Sequence, residues 1–103
     1  MNKISRDELM SIILEVLNEI GKDSDNKSLI EATSQTLLYG DNGNLDSMSL
    51  VYMVSHLEKV LSFELSTNIV LVNKRAMSQR NSPFQTVSTL IEFIEDVIKE
   101  KNI

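Results

Sequence analysis

The chain has no cysteine and a single histidine, His56, among its 103 residues. Disulfides, thiolate catalysis and cysteine-ligated metals are excluded together, and a histidine-rich metal site goes with them. The N-terminal MNKISRDELM has no apolar core of the kind a secretory leader carries, and no apolar run approaches the length of a membrane span. A soluble, cytoplasmic protein is the expectation. Basic surplus is also missing: the net charge is −5. That balance argues against nucleic-acid binding, which needs a positive footprint, and suits encounter with basic patches on proteins. One proline, Pro83, and three glycines leave few obligatory breaks.

What is present is helical spacing. Ser5 to Glu8 has the form of a capping box, and Leu9, Ile13, Val16, Leu17 and Ile20 recur on one helical face. The first helix is predicted over 6–20, with Gly21 as its stop. From 22 to 44 the chain is polar and turn-rich but carries Leu29, Ile30, Leu37 and Leu38, enough to stay pinned to a core, with one helical turn expected near 28–34. A second helix follows Asp46 or Ser47 as its cap. Its inward stripe is read as Leu50, Val51, Val54, Leu57 and Leu61, widened by Met53 and Val60, with Phe63 and Leu65 as anchors beyond it. Ile69 to Val72 has β-propensity but no partner strand, so it reads as an apolar segment on the core that leads into a short helix near 72–79. Because 66–82 has the least regular pattern, it is expected to be among the more mobile parts. Thr86 caps a last helix over 87–100, with Val87, Leu90, Ile91, Ile94, Val97 and Ile98 inward. There is no internal repeat. The sum is one all-α domain spanning 1–103, a small bundle of three main helices plus one short helix.

Chemistry concentrates at Asp46-Ser47. Such a pair ahead of a helix is most often only a cap. A nucleophilic role needs a base, and His56 fails as one. Nine residues along the same helix puts it on the opposite face, about 13 Å away along the axis, where a serine–histidine pair needs about 3 Å. Lys59 lies farther still. The chain is therefore not expected to be an enzyme. A helix start does favour a neighbouring anion, so Ser47 is well placed to carry a phosphate ester and poorly placed to run chemistry alone.

Leu45-Asp46-Ser47-Met48, followed by Ser49-Leu50-Val51, resembles the modification motif of acyl carrier proteins. Glu58 in HLEKVLSFEL resembles the glutamate late in that family's second helix, and Phe63 and Leu65 its closing apolar residues. VLVNKRAMSQRNSPFQTVSTLIEFI, residues 70–94, is similar to a branch of these carriers with an RAMS…SPF.TV..L..YI pattern, so the likeness runs over nearly the whole chain. The resemblance implies that Ser47 accepts 4′-phosphopantetheine from coenzyme A through a separate phosphopantetheinyl transferase. Asp46 would support the metal that the transferase uses. Acyl groups would ride as thioesters on the arm, in lipid or secondary-metabolite biosynthesis. It implies as partners an acyl-loading ligase or acyltransferase and condensing or acyl-transferring enzymes, met by a monomer that binds neither nucleic acid nor membrane. Met48 and Tyr52 on the second helix, with Lys74 and Arg75 beside it, are the expected partner-recognition residues. Arg80 extends that basic edge. Family members often carry several acids along this helix; here Glu58 is the only one expected at an exposed position. Dedicated partner enzymes, rather than a general fatty-acid synthase, are the reading of that departure. An aminoacyl or peptidyl carrier, which shares the serine motif, and an unmodified helical adaptor are the alternatives.

Overall fold

The computed structural model describes residues 4–72 and 83–101. Four helices occur among them: α1 (Arg6–Ser24), α2 (Lys27–Ile30), α3 (Ser47–Leu65) and α4 (Val87–Glu100). No strand forms among the described residues, and the architecture is a small all-α bundle of three main helices and one short one. No described helix is long and apolar enough to cross a membrane.

Local chemistry sets the helix starts. Ser5 Oγ accepts from the Glu8 amide at 3.1 Å and Glu8 Oε1 accepts from the Ser5 amide at 3.2 Å, closing the capping box ahead of α1. Thr86 and Thr89 form the equivalent pair ahead of α4. The predicted stop at Gly21 is not one. α1 runs a further turn to Ser24 and ends where Asp25 takes the left-handed conformation (φ 54°) and its amide donates to the Gly21 carbonyl. Gly21 is buried inside the helix for a different reason. A β-carbon there would lie 2.8 Å from the Ile30 amide nitrogen and 2.9 Å from the Asn26 carbonyl oxygen, so only glycine lets α2 fold back against α1. The helical turn expected near 28–34 is α2, capped by Asn26, whose side chain accepts from the Leu29 amide.

The core is continuous through the bundle. Leu9, Ile13, Val16 and Leu17 of α1 meet Leu50, Met53, Val54, Leu57 and Leu61 of α3 and Leu90, Ile91 and Ile94 of α4. Phe84 is buried and meets Phe93 edge-on at 5.9 Å between ring centroids. Val51, read as inward from spacing, and Phe63, read as an anchor beyond the helix, both face water, and α3 runs on through Phe63 to Leu65. Leu50, Val54, Leu57, Leu61 and Leu65 already fill the inward arc, which leaves these two on the outside. Between Ile69 and Val72 burial alternates, Ile69 and Leu71 inward and Val70 and Val72 outward, without any strand pairing. The helix expected near 72–79 falls mostly on residues outside the described ones.

Candidate functional site at the start of α3

The loop that delivers Ser47 is tied down along its length. Leu38 and Leu45 are buried, and the Leu45 amide donates to the Leu38 carbonyl at 2.8 Å. On its other side the Leu38 amide donates to the Gln85 carbonyl (2.8 Å) and the Tyr39 amide to that of Phe84 (3.0 Å), which fastens the loop to the chain entering α4. Val87 and Ser88 donate back to the Thr36 and Ser34 carbonyls. Between these anchors the chain turns through Gly40 (φ 111°) and Asn42 (φ 61°). Gly43 sits so close behind Leu38 that a β-carbon would meet the Leu38 carbonyl oxygen at 2.5 Å. The Asn44 side chain donates to the Leu37 carbonyl at 2.7 Å and accepts from Asn26 Nδ2 at 3.4 Å, linking the loop to the start of α2. The loop is thus held from two sides, and its exit is fixed at Asp46.

Asp46 is the N-cap of α3. Its Oδ1 accepts from the Ser49 amide at 2.8 Å, and its carbonyl accepts from Leu50 at 2.9 Å. The Ser49 hydrogen bonds hold the Asp46 carboxyl below the usual carboxylate range, since they favour its ionised form. The sequence left the cap between Asp46 and Ser47; the structure gives it to Asp46. Ser47 is therefore free of capping duty. It is the first residue of α3, is exposed, and its hydroxyl makes no hydrogen bond among the described residues. An exposed hydroxyl at the end of an anchored loop, beside the positive end of a 19-residue helix, fits a group joined through a phosphate.

The other expected residues divide. Met48 and Tyr52 are exposed on α3, one and five positions after Ser47. Tyr52 stacks on His56 with 6.2 Å between ring centroids, which gives the lone histidine a packing role on the helix surface. Lys74, Arg75 and Arg80 lie outside the described residues. Next to the serine, a shallow depression between the last turn of α1 and the first turns of α3 is lined by Ile20, Asp23, Ser24, Ser49 and Tyr52.

Glu58 is a correction to the expected picture of a free surface acid. It is half-buried, and its Oε2 accepts from the Leu71 amide at 2.6 Å and the Val72 amide at 3.3 Å. One turn on, Ser62 Oγ accepts from the Ile69 amide at 2.9 Å. Two side chains of α3 thus strap residues 69–72 along the helix, and the 66–72 part of the segment expected to be mobile is anchored there. Nor is Glu58 the sole acid of α3, because the helix extends to Leu65 and includes the exposed Glu64. Glu64 faces a depression shared with Ile4, Asp7, Glu8, Ser11 and Ile12, at the opposite end of α3 from Ser47. No signal in the sequence paired Glu58 with amides thirteen and fourteen residues away.

No family model, curated protein sequence or solved structure matches this chain.

Proposed function

We propose that the chain is an acyl carrier protein, with 4′-phosphopantetheine joined through a phosphodiester to the Ser47 hydroxyl. The observation that carries this reading is the exposed Ser47 hydroxyl, without a hydrogen bond among the described residues, at the first position of α3 and immediately after an aspartate that has taken over the cap. When attached, the arm supplies a terminal thiol on which acyl groups are held as thioesters, a chemistry the chain's own side chains cannot supply. The chain's part is presentation. Leu38, Leu45 and Gly43 fix the loop, Asp46 fixes the helix start, and the hydroxyl is left to an external phosphopantetheinyl transferase. Asp46, whose carboxyl the Ser49 hydrogen bonds hold below the usual carboxylate range, stands next to the serine, where it supports the transferase's divalent metal. Met48 and Tyr52 meet the loading and acyl-transferring enzymes, and Lys74 and Arg75 are assigned by the sequence to the same recognition. These partners are dedicated enzymes, and the chain works as a cytoplasmic monomer.

The test is intact mass after incubation with coenzyme A and a broad-specificity transferase. The wild-type chain is expected to gain one phosphopantetheine group. Ser47→Ala is expected to gain nothing while keeping its helical circular dichroism. A folded wild-type chain that stays unmodified with every donor and transferase tried refutes the reading and leaves a helical adaptor. Loading assays with acyl and aminoacyl ligases separate an acyl from a peptidyl carrier, and equal turnover of this chain and a housekeeping carrier by one elongating enzyme refutes dedicated partners.

A further inference from the structure

Asn42, in the loop that delivers Ser47, is the only asparagine in the chain followed by glycine. An asparagine amide and the next main-chain nitrogen belong to one short stretch of chain, so they can react without a second molecule. Glycine at the second position puts no β-carbon in the way. The structure separates Asn42 from the asparagines around it. Asn18 donates to the Ile30 carbonyl at 3.2 Å, Asn26 accepts from the Leu29 amide at 3.2 Å, and Asn44 donates to the Leu37 carbonyl at 2.7 Å. The Asn42 side chain is exposed and makes no hydrogen bond among the described residues. Its backbone is left-handed (φ 61°), a conformation that asparagine and aspartate tolerate. Among the described residues, one main-chain hydrogen bond closes the tip of the loop, from the Gly43 amide to the Gly40 carbonyl at 3.0 Å. The flanks are tied more firmly, Leu38 to Gln85 and Leu45 to Leu38, each at 2.8 Å. The tip can therefore open while the rest of the loop holds.

We propose that Asn42 is a site of spontaneous deamidation in the folded chain, and that its isoaspartyl product loosens the loop that presents Ser47. The Gly43 nitrogen gives up its proton to solvent base and attacks Asn42 Cγ. A bond from that nitrogen to Cγ forms, the bond from Cγ to Nδ2 breaks, and Nδ2 leaves as ammonia with a proton from water. Water then opens the cyclic imide. Attack at Cγ breaks its new bond to nitrogen and leaves an aspartate on the original backbone. Attack at the main-chain carbonyl carbon breaks its bond to the Gly43 nitrogen and leaves isoaspartate, with the chain running through Cβ and Cγ. In sum, an amide and a water become a carboxylic acid and ammonia. The acid is ionised at neutral pH. Either product thus adds a negative charge to a loop that already carries Asp41 and Asp46. The aspartate suits the left-handed turn as asparagine does. Isoaspartate lengthens the main chain by a methylene directly before Gly43. There the Leu38 carbonyl oxygen lies only 2.5 Å from the place a β-carbon would take, so no slack exists to absorb the added group. Gly43 is displaced from Leu38, and the neighbouring bond from the Leu45 amide to the Leu38 carbonyl weakens with it.

The test ages the full wild-type chain in buffer at neutral and at mildly alkaline pH. Intact mass and peptide mapping read the exchange of amide for acid and its position. Conversion is expected at Asn42 ahead of Asn18, Asn26 and Asn44, faster at the higher pH, with ammonia released in step. Unfolding the chain in urea is expected to speed it by only about fivefold, the factor that one neutral hydrogen bond corresponds to. Asn42→Gly keeps a residue suited to the left-handed turn and is expected to show the wild-type circular dichroism and no acid at that position. The isoaspartyl form, separated by chromatography, should lose hydrogen-exchange protection at the Leu45 amide while amides inside α1 keep theirs. Asn42→Asp, which carries the charge without the longer backbone, should keep protection at Leu45. A folded chain that stays unmodified at Asn42 while the urea-unfolded chain converts overturns the proposal, as does earlier conversion at Asn26 or Asn44. Unchanged Leu45 protection in the isoaspartyl form overturns the loosening. Every readout is independent of any group joined to Ser47, so failure of the carrier reading leaves these outcomes unaffected.

Discussion

Removing one carboxylate, in Glu58→Ala, should release the chain segment that follows α3. The strap has three amide anchors: Leu71 and Val72 on Glu58 Oε2 at 2.6 and 3.3 Å, and Ile69 on Ser62 Oγ at 2.9 Å. A hydrogen bond to a charged acceptor contributes about 1.5–3 kcal/mol. The longer Val72 contact adds little to the short one, and Glu58 is only half-buried, so water recovers part of the loss. The expected cost is about 2 kcal/mol. In a domain of this size that corresponds to a fall of about 10 °C in Tm. Glu58→Gln keeps one acceptor oxygen in reach and should lose about half as much. Ser62→Ala removes a neutral hydrogen bond and should cost about 1 kcal/mol. Because both side chains hold one segment, the double variant should lose less than the sum of the two single variants. Urea denaturation followed by far-UV circular dichroism gives the energies, and amide hydrogen exchange gives their location. Leu71 and Val72 should lose protection in Glu58→Ala while amides inside α1 keep theirs. Stability within about 0.5 kcal/mol of wild type, the range ordinary surface substitutions span, would refute the reasoning. So would unchanged protection at Leu71 and Val72, since it would mean that burial of Ile69 and Leu71 alone holds the strap.

Gly21→Ala should destabilise the chain even though alanine ordinarily gains about 1 kcal/mol over glycine inside a helix. The new methyl would sit 2.8 Å from the Ile30 backbone nitrogen, and urea denaturation should show a lower midpoint as α2 is pushed from α1. Asp46 gives a pH signature whose sign follows from its lowered pKa. A group ionised more readily in the folded state stabilises it above the unfolded-state pKa, and that contribution is lost as pH falls through the folded value. Tm of wild type and of Asp46→Asn should therefore converge as the solution is acidified through and below the usual carboxylate range, and a gap that stays constant would count against it.

Helix starts were readable because they are local. Ser5 with Glu8, Asp46 with Ser49 and Thr86 with Thr89 each satisfy amides three residues on, and the residue types there place the first and last starts and narrow the second to Asp46 or Ser47. The end of α1 was not readable, because glycine has two uses in a helix. At Gly21 the use is close approach to α2, which depends on where Ile30 comes to lie and not on the neighbours in the chain. Val51 and Phe63 show the limit of periodicity. Spacing places them near the apolar arc, but the arc's width is decided by the helices packed against it, and here it stops short of both. The loop from 31 to 46 carried only its buried leucines as signal. Its backbone pairing with residues 84–88 is made by main-chain groups, which every sequence has. Around Ser47, the helix start at Asp46-Ser47 and the exposure of Met48 and Tyr52 were legible, while the strap was not.

The two ends of α3 are held by different contacts. Ser47 requires a helix whose first turn is fixed, and the Asp46 cap together with the anchored loop provides that at one end of α3. Residues 69–72 stay beside the other half of the helix because Glu58 and Ser62 occupy their amides. The Glu58 carboxylate is thereby engaged in holding the strap and is not a free surface acid. A chain that kept Ser47 but lost Glu58 should still accept its prosthetic group, because the Asp46 cap and the loop anchors do not depend on the strap.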